Sequence, residues 1–119
     1  MYNLIYLSEQ NLIDCSQKQG NMGCKSGTPN QGFEYVKENN GIDTETSYPY
    51  DGQDMTCRFT KENVGTRDKG YVNLASKDEN VLQRAIATLG PMSAAIDASQ
   101  PSFQLYKSGS MYLPCFNFF

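Results

Sequence analysis

Four cysteines, at positions 15, 24, 57 and 115, stand in a chain that contains no histidine. That combination narrows what the polypeptide can build. A zinc site made from cysteine draws on histidine or on paired C-x-x-C knuckles. Here the thiols are far apart and no knuckle exists, so the sequence implies no metal and no cofactor. Without imidazole the commonest general base is missing as well. The stretch "LSEQNLIDCSQKQGNMGCKSG" carries two of the cysteines on either side of a polar, glycine-bearing segment. On spacing alone they stand as a redox pair, a catalytic thiol with a neighbour, or part of a disulfide frame.

A length of 119 residues suits one domain with a modest core. Hydrophobic residues make up 39% and the net charge is −3, which fits neither a disordered nor a membrane-spanning composition. The mildly acidic balance has no Lys/Arg cluster, so a nucleic-acid partner is not expected. No apolar run approaches the ~20 residues that a spanning helix needs, so no membrane partner is expected either. The opening "MYNLIYLSEQ" has no basic region followed by a long apolar one, and so lacks the pattern of a signal peptide.

Local chemistry punctuates the chain. Ser8 can cap a short helix over "EQNLIDC", with Leu12 and Cys15 on one face. Gly20 and Gly23 then open a loop. Thr28 and Gln31 form a Thr-x-x-Gln capping box, Pro29 takes the first helical position, and Gly41 can close the helix "TPNQGFEYVKENNG", with Phe33 and Val36 facing a core. The Tyr-, Pro- and Asp-rich "GIDTETSYPYDGQDMTCRF" suggests a long ordered loop. "GYVNL" alternates as a short strand. In "SKDENVLQRAIATLGP", Ser76 and Glu79 make a second capping box, Val81, Leu82, Ala85, Ile86 and Leu89 form one apolar stripe, and Gly90-Pro91 ends it. "MSAAIDA" suggests a strand and "SFQLYKSGSMY" a turn with strand character. Helices followed by strands predict an α+β fold. The apolar ending "LPCFNFF" would be exposed unless it packs on something, a liability for a small domain.

Taken in order, several segments resemble one family. They are "LSEQNLIDCS", the "GC" followed by "SG", "GFEYVKENNGIDTETSYPY", the cysteine of "MTCRF", and "LGPMSAAIDASQPSFQLYKSG". Together they are similar to papain-family cysteine proteases of the cathepsin L and K type, almost without gaps from residue 7 to residue 112. The resemblance covers the middle of such a protease and neither end. It implies a partial papain-like fold: residues 1–70 as part of the mainly helical lobe and residues 71–119 as the start of the β-rich lobe, within one incomplete peptidase domain whose central helix is missing. Between the lobes of the complete fold lies a cleft for an extended peptide.

The same resemblance separates this segment from the family's chemistry. The nucleophile lies in C-G-[SA]-C-[WY], whereas the four cysteines here read "DCS", "GCK", "TCR" and "PCF". The nucleophilic cysteine and the oxyanion-hole glutamine are expected upstream, and the histidine base with its asparagine downstream of Cys115. A thiol needs a base or a cationic neighbour to act at neutral pH, so no catalytic residue is assigned. The resemblance pairs Cys15 with Cys57. They lie 42 residues apart, and closing such a loop is worth about 4 kcal/mol in the chain-entropy picture. Cys24 and Cys115 have family partners elsewhere and different lobes to sit in, so both are expected as free thiols.

Pieces of a substrate cleft remain by resemblance. Ser26 and Gly27 occupy a stretch where the family carries paired glycines whose backbone bonds an extended peptide by strand addition. Thr28 and Pro29 flank the pocket for the second residue before the scissile bond, and Ala95 lines it from the other lobe. Asp14, Asp43, Glu45 and Asp97 show no acid/base spacing and are taken as structural or solvated. The expectation is therefore a portion of a papain-like endopeptidase that cleaves peptide bonds through a thiol acyl-enzyme when complete and is inactive as this chain. Its partners would be peptide or protein substrates and cystatin-like inhibitors, in a lysosomal or extracellular setting. The alternative is a non-catalytic relative that binds peptides or protease inhibitors.

Overall fold

A computed structural model of the chain describes residues 4–96, 98–99 and 101–109. Helix α1 (Glu9–Cys15) leads through a 3-10 turn (Gln17–Gln19) to α2 (Pro29–Glu38). Strand β1 (Ile42–Asp43), a second 3-10 turn (Lys61–Asn63) and β2 (Val64–Thr66) follow, then α3 (Glu79–Leu89) and α4 (Pro101–Gln104). The strands pair antiparallel, Ile42 opposite Thr66 and Asp43 opposite Val64, with an irregularity between. Leu7 adds a bridge to Thr44. Helices with a small sheet bear out the α+β class. The chain falls into two compact units, Met1–Val72 and Asn73–Phe119.

In the first unit both helices begin as their caps dictate. The Ser8 hydroxyl accepts the Asn11 amide at 2.9 Å. At α2 the box is reciprocal: Gln31 N–H donates to Thr28 Oγ1, and Thr28 N–H donates to Gln31 Oε1, with Pro29 in the first turn. The C-terminus differs from expectation. Asn40, at φ 58°, takes the left-handed position, Asn40 N–H bonds Lys37 C=O and Gly41 N–H bonds Val36 C=O. That is the paired-bond Schellman ending with Gly41 one residue further out.

The core of this unit is Tyr35, Val36 and Ile42, with Leu12 and Cys15 packed against it. Phe33 does not join it. It is 39% exposed and leans on the Tyr71 ring with centroids 6.2 Å apart. The inward arc of α2 runs through Gly32, Tyr35 and Val36, where Gly32 lets the helix approach Leu12. Phe33 lies about 100° round the helix from Gly32 and so off that arc.

What α1 buries is polar. Gln10, Asn11 and Asp14 are all inside, and their side chains satisfy the backbone of the irregular segment after β1. Gln10 Oε1 accepts the amides of Asp51 and Gly52, and its Nε2 donates to Gln53 C=O. Asn11 Oδ1 accepts the Asp43 amide, and its Nδ2 donates to Tyr35 Oη. Asp14 accepts Tyr48 O–H at 2.7 Å and the Met55 amide at 2.9 Å. Tyr48 Oη in turn accepts the Arg58 amide, and the Arg58 guanidinium lies 4.7 Å over the Tyr48 ring. Burial pushes the Tyr35 phenol up to about 12, so it stays protonated while it accepts from Asn11. The disulfide Cys15–Cys57 closes this assembly, with Cα atoms 4.9 Å apart.

In the second unit α3 is capped by Asp78, whose carboxylate accepts the Val81 amide at 3.0 Å, rather than by Ser76. Lys77 at φ 62° turns the chain left-handed between them and takes Ser76 out of reach. Ala85 is the buried residue of the apolar stripe; Ile86 and Leu89 are exposed. "GYVNL" and "MSAAIDA" are irregular among the described residues, and "SFQLYKSGSMY" begins with the single turn of α4 rather than a strand. Alternation states a preference that only a paired neighbour realises, and none of their described residues has one.

Two expectations follow. Reducing Cys15–Cys57, or replacing both by serine, lowers the stability of the first unit by about 4 kcal/mol, read as a drop in the urea midpoint. Asp43 supplies the second. Its Oδ1 is buried without a partner while Oδ2 accepts the Thr60 amide, and desolvation, against that bond and aided by Glu62, raises its carboxyl above the usual value. A raised folded pKa means that ionisation works against the fold. Stability contributed by Asp43 is therefore full below the unfolded carboxyl's pKa and lost as pH rises through the folded one. Urea titrations of wild type and Asp43→Asn between acid and neutral pH should show that downward step in wild type and its loss in the variant.

Candidate functional site

The loop between α1 and α2 is built from short-range contacts. Ser16 ends α1, its amide and hydroxyl both donating to Leu12 C=O. The 3-10 turn then closes at Gly20. Lys25 N–H bonds Met22 C=O at 3.1 Å and Met22 N–H bonds Ser26 C=O at 2.8 Å, which folds residues 22–26 into a tight knuckle. Gly23, at φ +57°, sits where an added Cβ would come within 1.9 Å of Asp54 Oδ1, so both backbone conformation and space require glycine there. That same carboxylate oxygen accepts the Cys24 amide at 2.7 Å and ties the knuckle to the segment that carries Cys57.

Ser26, Gly27, Thr28 and Pro29 follow as one exposed run into the α2 cap. The Ser26 carbonyl is occupied by Met22. Gly27 is different: among the described residues its N–H and C=O have no internal partner. Thr28 N–H is shared by Asn21 Oδ1 at 3.0 Å and Gln31 Oε1 at 3.2 Å. Gly27 carries no left-handed φ, yet a Cβ there would lie 2.6 Å from Asn21 Oδ1. A side chain at 27 would have to push the Asn21 carboxamide out of its bonds. Ala95 belongs to the second unit and is exposed there.

Cys24 is a free, exposed thiol. Desolvation against its own loop, and then the charge and hydrogen bond of Asp54, hold it above the ordinary thiol value. A nucleophilic cysteine needs the reverse, a cation or base that favours thiolate. Asp14 and Asp43 serve the buried network. Glu45 is half-buried and accepts the Tyr50 amide at 2.9 Å. Asp97 and Cys115 lie outside the described residues. A hollow lined by Tyr6, Leu7, Glu9, Ile13, Glu45 and Tyr50 contains none of the residues expected at a site. Among the described residues no group of His, Cys, Asp and Glu is placed to hold a metal ion, and no helix is long and apolar enough to cross a membrane.

Two residues that hold the loop escaped sequence reasoning. Asn21 stands in "GNMG", where an asparagine directly after a glycine is a usable signal of side-chain-to-backbone bonding. Asp54 offers no comparable cue, because the amide it caps is 30 residues away.

Comparison with known proteins puts this geometry in context. The family model described as "Papain family cysteine protease" matches residues 2–117. A "Cathepsin L-like" protein of Caenorhabditis elegans is 58% identical over 109 residues, which are 92% of this chain and 32% of that protein. "Cathepsin L" of Sarcophaga peregrina is 54% identical over 106 residues, covering 89% of this chain and 31% of that one. The solved structure of a digestive procathepsin L2 proteinase from Tenebrio molitor larval midgut superposes with a TM-score of 0.86 at 42% identity, over 95% of this chain and 35% of that chain. The chain thus spans about a third of the length of the curated relatives it matches.

The Cys24 environment yields a direct test. At neutral pH the thiol should react with iodoacetamide more slowly than an unperturbed cysteine, and the rate should climb only as pH passes its raised pKa. Asp54→Asn removes the adjacent charge and should move that climb to lower pH. An alkylation rate already maximal at neutral pH in wild type contradicts the assignment.

Proposed function

The chain belongs to the papain family of cysteine proteases, and we propose that it supplies one edge of the substrate cleft of a cathepsin L-like endopeptidase, without the groups that break the bond. The observation that carries this reading is Gly27. Its N–H and C=O, on a single exposed residue, have no internal partner among the described residues. That is the donor–acceptor pair with which a strand residue bonds a neighbouring extended chain. Substrate specificity would then come from side chains beside that edge, Thr28 and Pro29 at the α2 cap.

The chemical step belongs to residues beyond this segment. The chain has no histidine. Cys15 and Cys57 are consumed in a disulfide, at Cys24 desolvation and then the Asp54 charge disfavour thiolate, and Cys115 lies outside the described residues. In the complete enzyme a thiolate would attack the peptide carbonyl to give an acyl-enzyme, which water then hydrolyses; this segment would hold the substrate extended while that happens. Residues 1–70 correspond on this reading to the helical-lobe portion and 71–119 to the start of the β-rich lobe. The disulfide fits an oxidising setting, in keeping with a lysosomal or extracellular protease acting on peptide or protein substrates.

The test has two readouts on the purified chain. With a fluorogenic dipeptide amide under reducing, mildly acidic conditions, no turnover should be seen. Activity that a thiol-directed epoxide abolishes would sink the assignment of the chemistry elsewhere. In a nitrogen-15 NMR titration with acetyl-Phe-Arg-amide, the amides of Ser26, Gly27 and Thr28 should shift ahead of the rest. Shifts confined to other residues would remove Gly27 from the proposed edge.

A further inference from the structure

We propose that Asn21 is a positioning residue for peptide recognition: it fixes the backbone of Gly27 and Thr28 to the end of α1, so that the exposed Gly27 edge is held ready before a peptide arrives. The proposal rests on the reading of Gly27 as a substrate edge and extends it to a residue that does not itself face the peptide.

The geometry is specific. Asn21 Nδ2 donates to Ser16 Oγ at 2.7 Å, and Asn21 Oδ1 accepts the Thr28 amide at 3.0 Å. A third bond runs from Asn21 N–H to Ser16 C=O at 3.3 Å. The orientation of the carboxamide is dictated by its partners. Ser16 Oγ already gives its proton to Leu12 C=O, so it can only accept from Asn21. Thr28 offers an N–H and can only donate. One end of the side chain must be a donor and the other an acceptor, which an amide meets and a carboxylate does not.

The anchor at the far end is rigid. Ser16 is fully buried and follows Cys15, whose disulfide pins α1 to residue 57. Between anchor and edge there is no slack, since a Cβ on Gly27 would meet Asn21 Oδ1 at 2.6 Å. The contact that excludes a side chain at 27 is thus made by the residue that holds the backbone in place. Without Asn21, Thr28 N–H would keep only the longer bond to Gln31, and Gly27 and Thr28 would have to be ordered when a peptide binds. Ordering at that moment is subtracted from affinity.

The experiment uses the full chain and three variants, Asn21→Ala, Gly27→Ala and the double substitution. It reads amide exchange at Thr28 and the affinity for acetyl-Phe-Arg-amide by NMR. Asn21→Ala should speed exchange at Thr28 and weaken the peptide by about tenfold, the worth of one lost hydrogen bond with its ordering. Amides within α1 and α2 should keep their wild-type shifts. Gly27→Ala should be harmful alone and much less so in the Asn21→Ala background, because the clash goes with the side chain. Asn21→Gln, which keeps both functional groups on a longer stem, should recover part of the affinity. Additive effects of the two alanine substitutions overturn the proposal, as does a Thr28 amide that exchanges freely in wild type. If wild type keeps a protected Thr28, sensitive to Asn21→Ala, but the peptide moves no amide of residues 26–28, the substrate-edge reading fails, and with it Asn21's role in recognition, while Asn21 remains shown as the loop's anchor.

Discussion

The first unit depends on a one-sided bargain at α1: a seven-residue helix turns its polar side chains inward to satisfy a backbone that has no secondary structure of its own. Residues 44–60 contain no helix or strand, and their buried amides and carbonyls would each cost free energy if left unpaired. Gln10, Asn11 and Asp14 between them accept four backbone amides of that region and of β1, at Asp43, Asp51, Gly52 and Met55. The net gain from each bond is only about 1 kcal/mol, but an orphaned buried partner costs about 1–3 kcal/mol. Removing one side chain therefore strands several groups together, and the hub is held cooperatively. The apolar core of Tyr35, Val36 and Ile42 is small; the hub and the disulfide supply what it lacks.

Order passes from that hub to the exposed loop by two routes. One leaves the C-terminus of α1 through Ser16 to Asn21 and so to Thr28. The other crosses the disulfide to the segment around residue 57, where Asp54 holds the Cys24 amide. Both end in a short side chain that accepts a backbone amide, which restricts a loop without filling the space in front of it. A recognition edge needs that combination: backbone groups free to bond a ligand, on a frame that does not have to be ordered first.

What the sequence revealed and what it withheld follow from the range of each interaction. The caps at Ser8 and at Thr28–Gln31 were legible because donor and acceptor lie three residues apart. The cap of α3 was misplaced for a reason equally local, the left-handed turn at Lys77, which a Ser-x-x-Glu pattern does not register. The Cys15–Cys57 bond was available only through family resemblance, since four cysteines allow three connectivities. The hub was invisible, because hydropathy places Gln10, Asn11 and Asp14 on the surface, and their partners are up to 43 residues away. Strands expected at "GYVNL" and "MSAAIDA" failed on the converse point: a strand exists through its neighbour, and periodicity names no neighbour.

The departure at Ser26 shows how the pieces constrain one another. Family resemblance expects two glycines, and the chain keeps one. At Gly27 a Cβ would force the Asn21 carboxamide to shift, and neither backbone group has an internal partner among the described residues. At Ser26 the carbonyl already accepts the Met22 amide. Serine there leaves the Gly27 backbone groups untouched and adds a hydroxyl beside them. If the edge binds peptide as proposed, the preference for glycine at 27 and the order of the edge share one cause, the side chain of Asn21, which lies where a Cβ would go and holds the next amide.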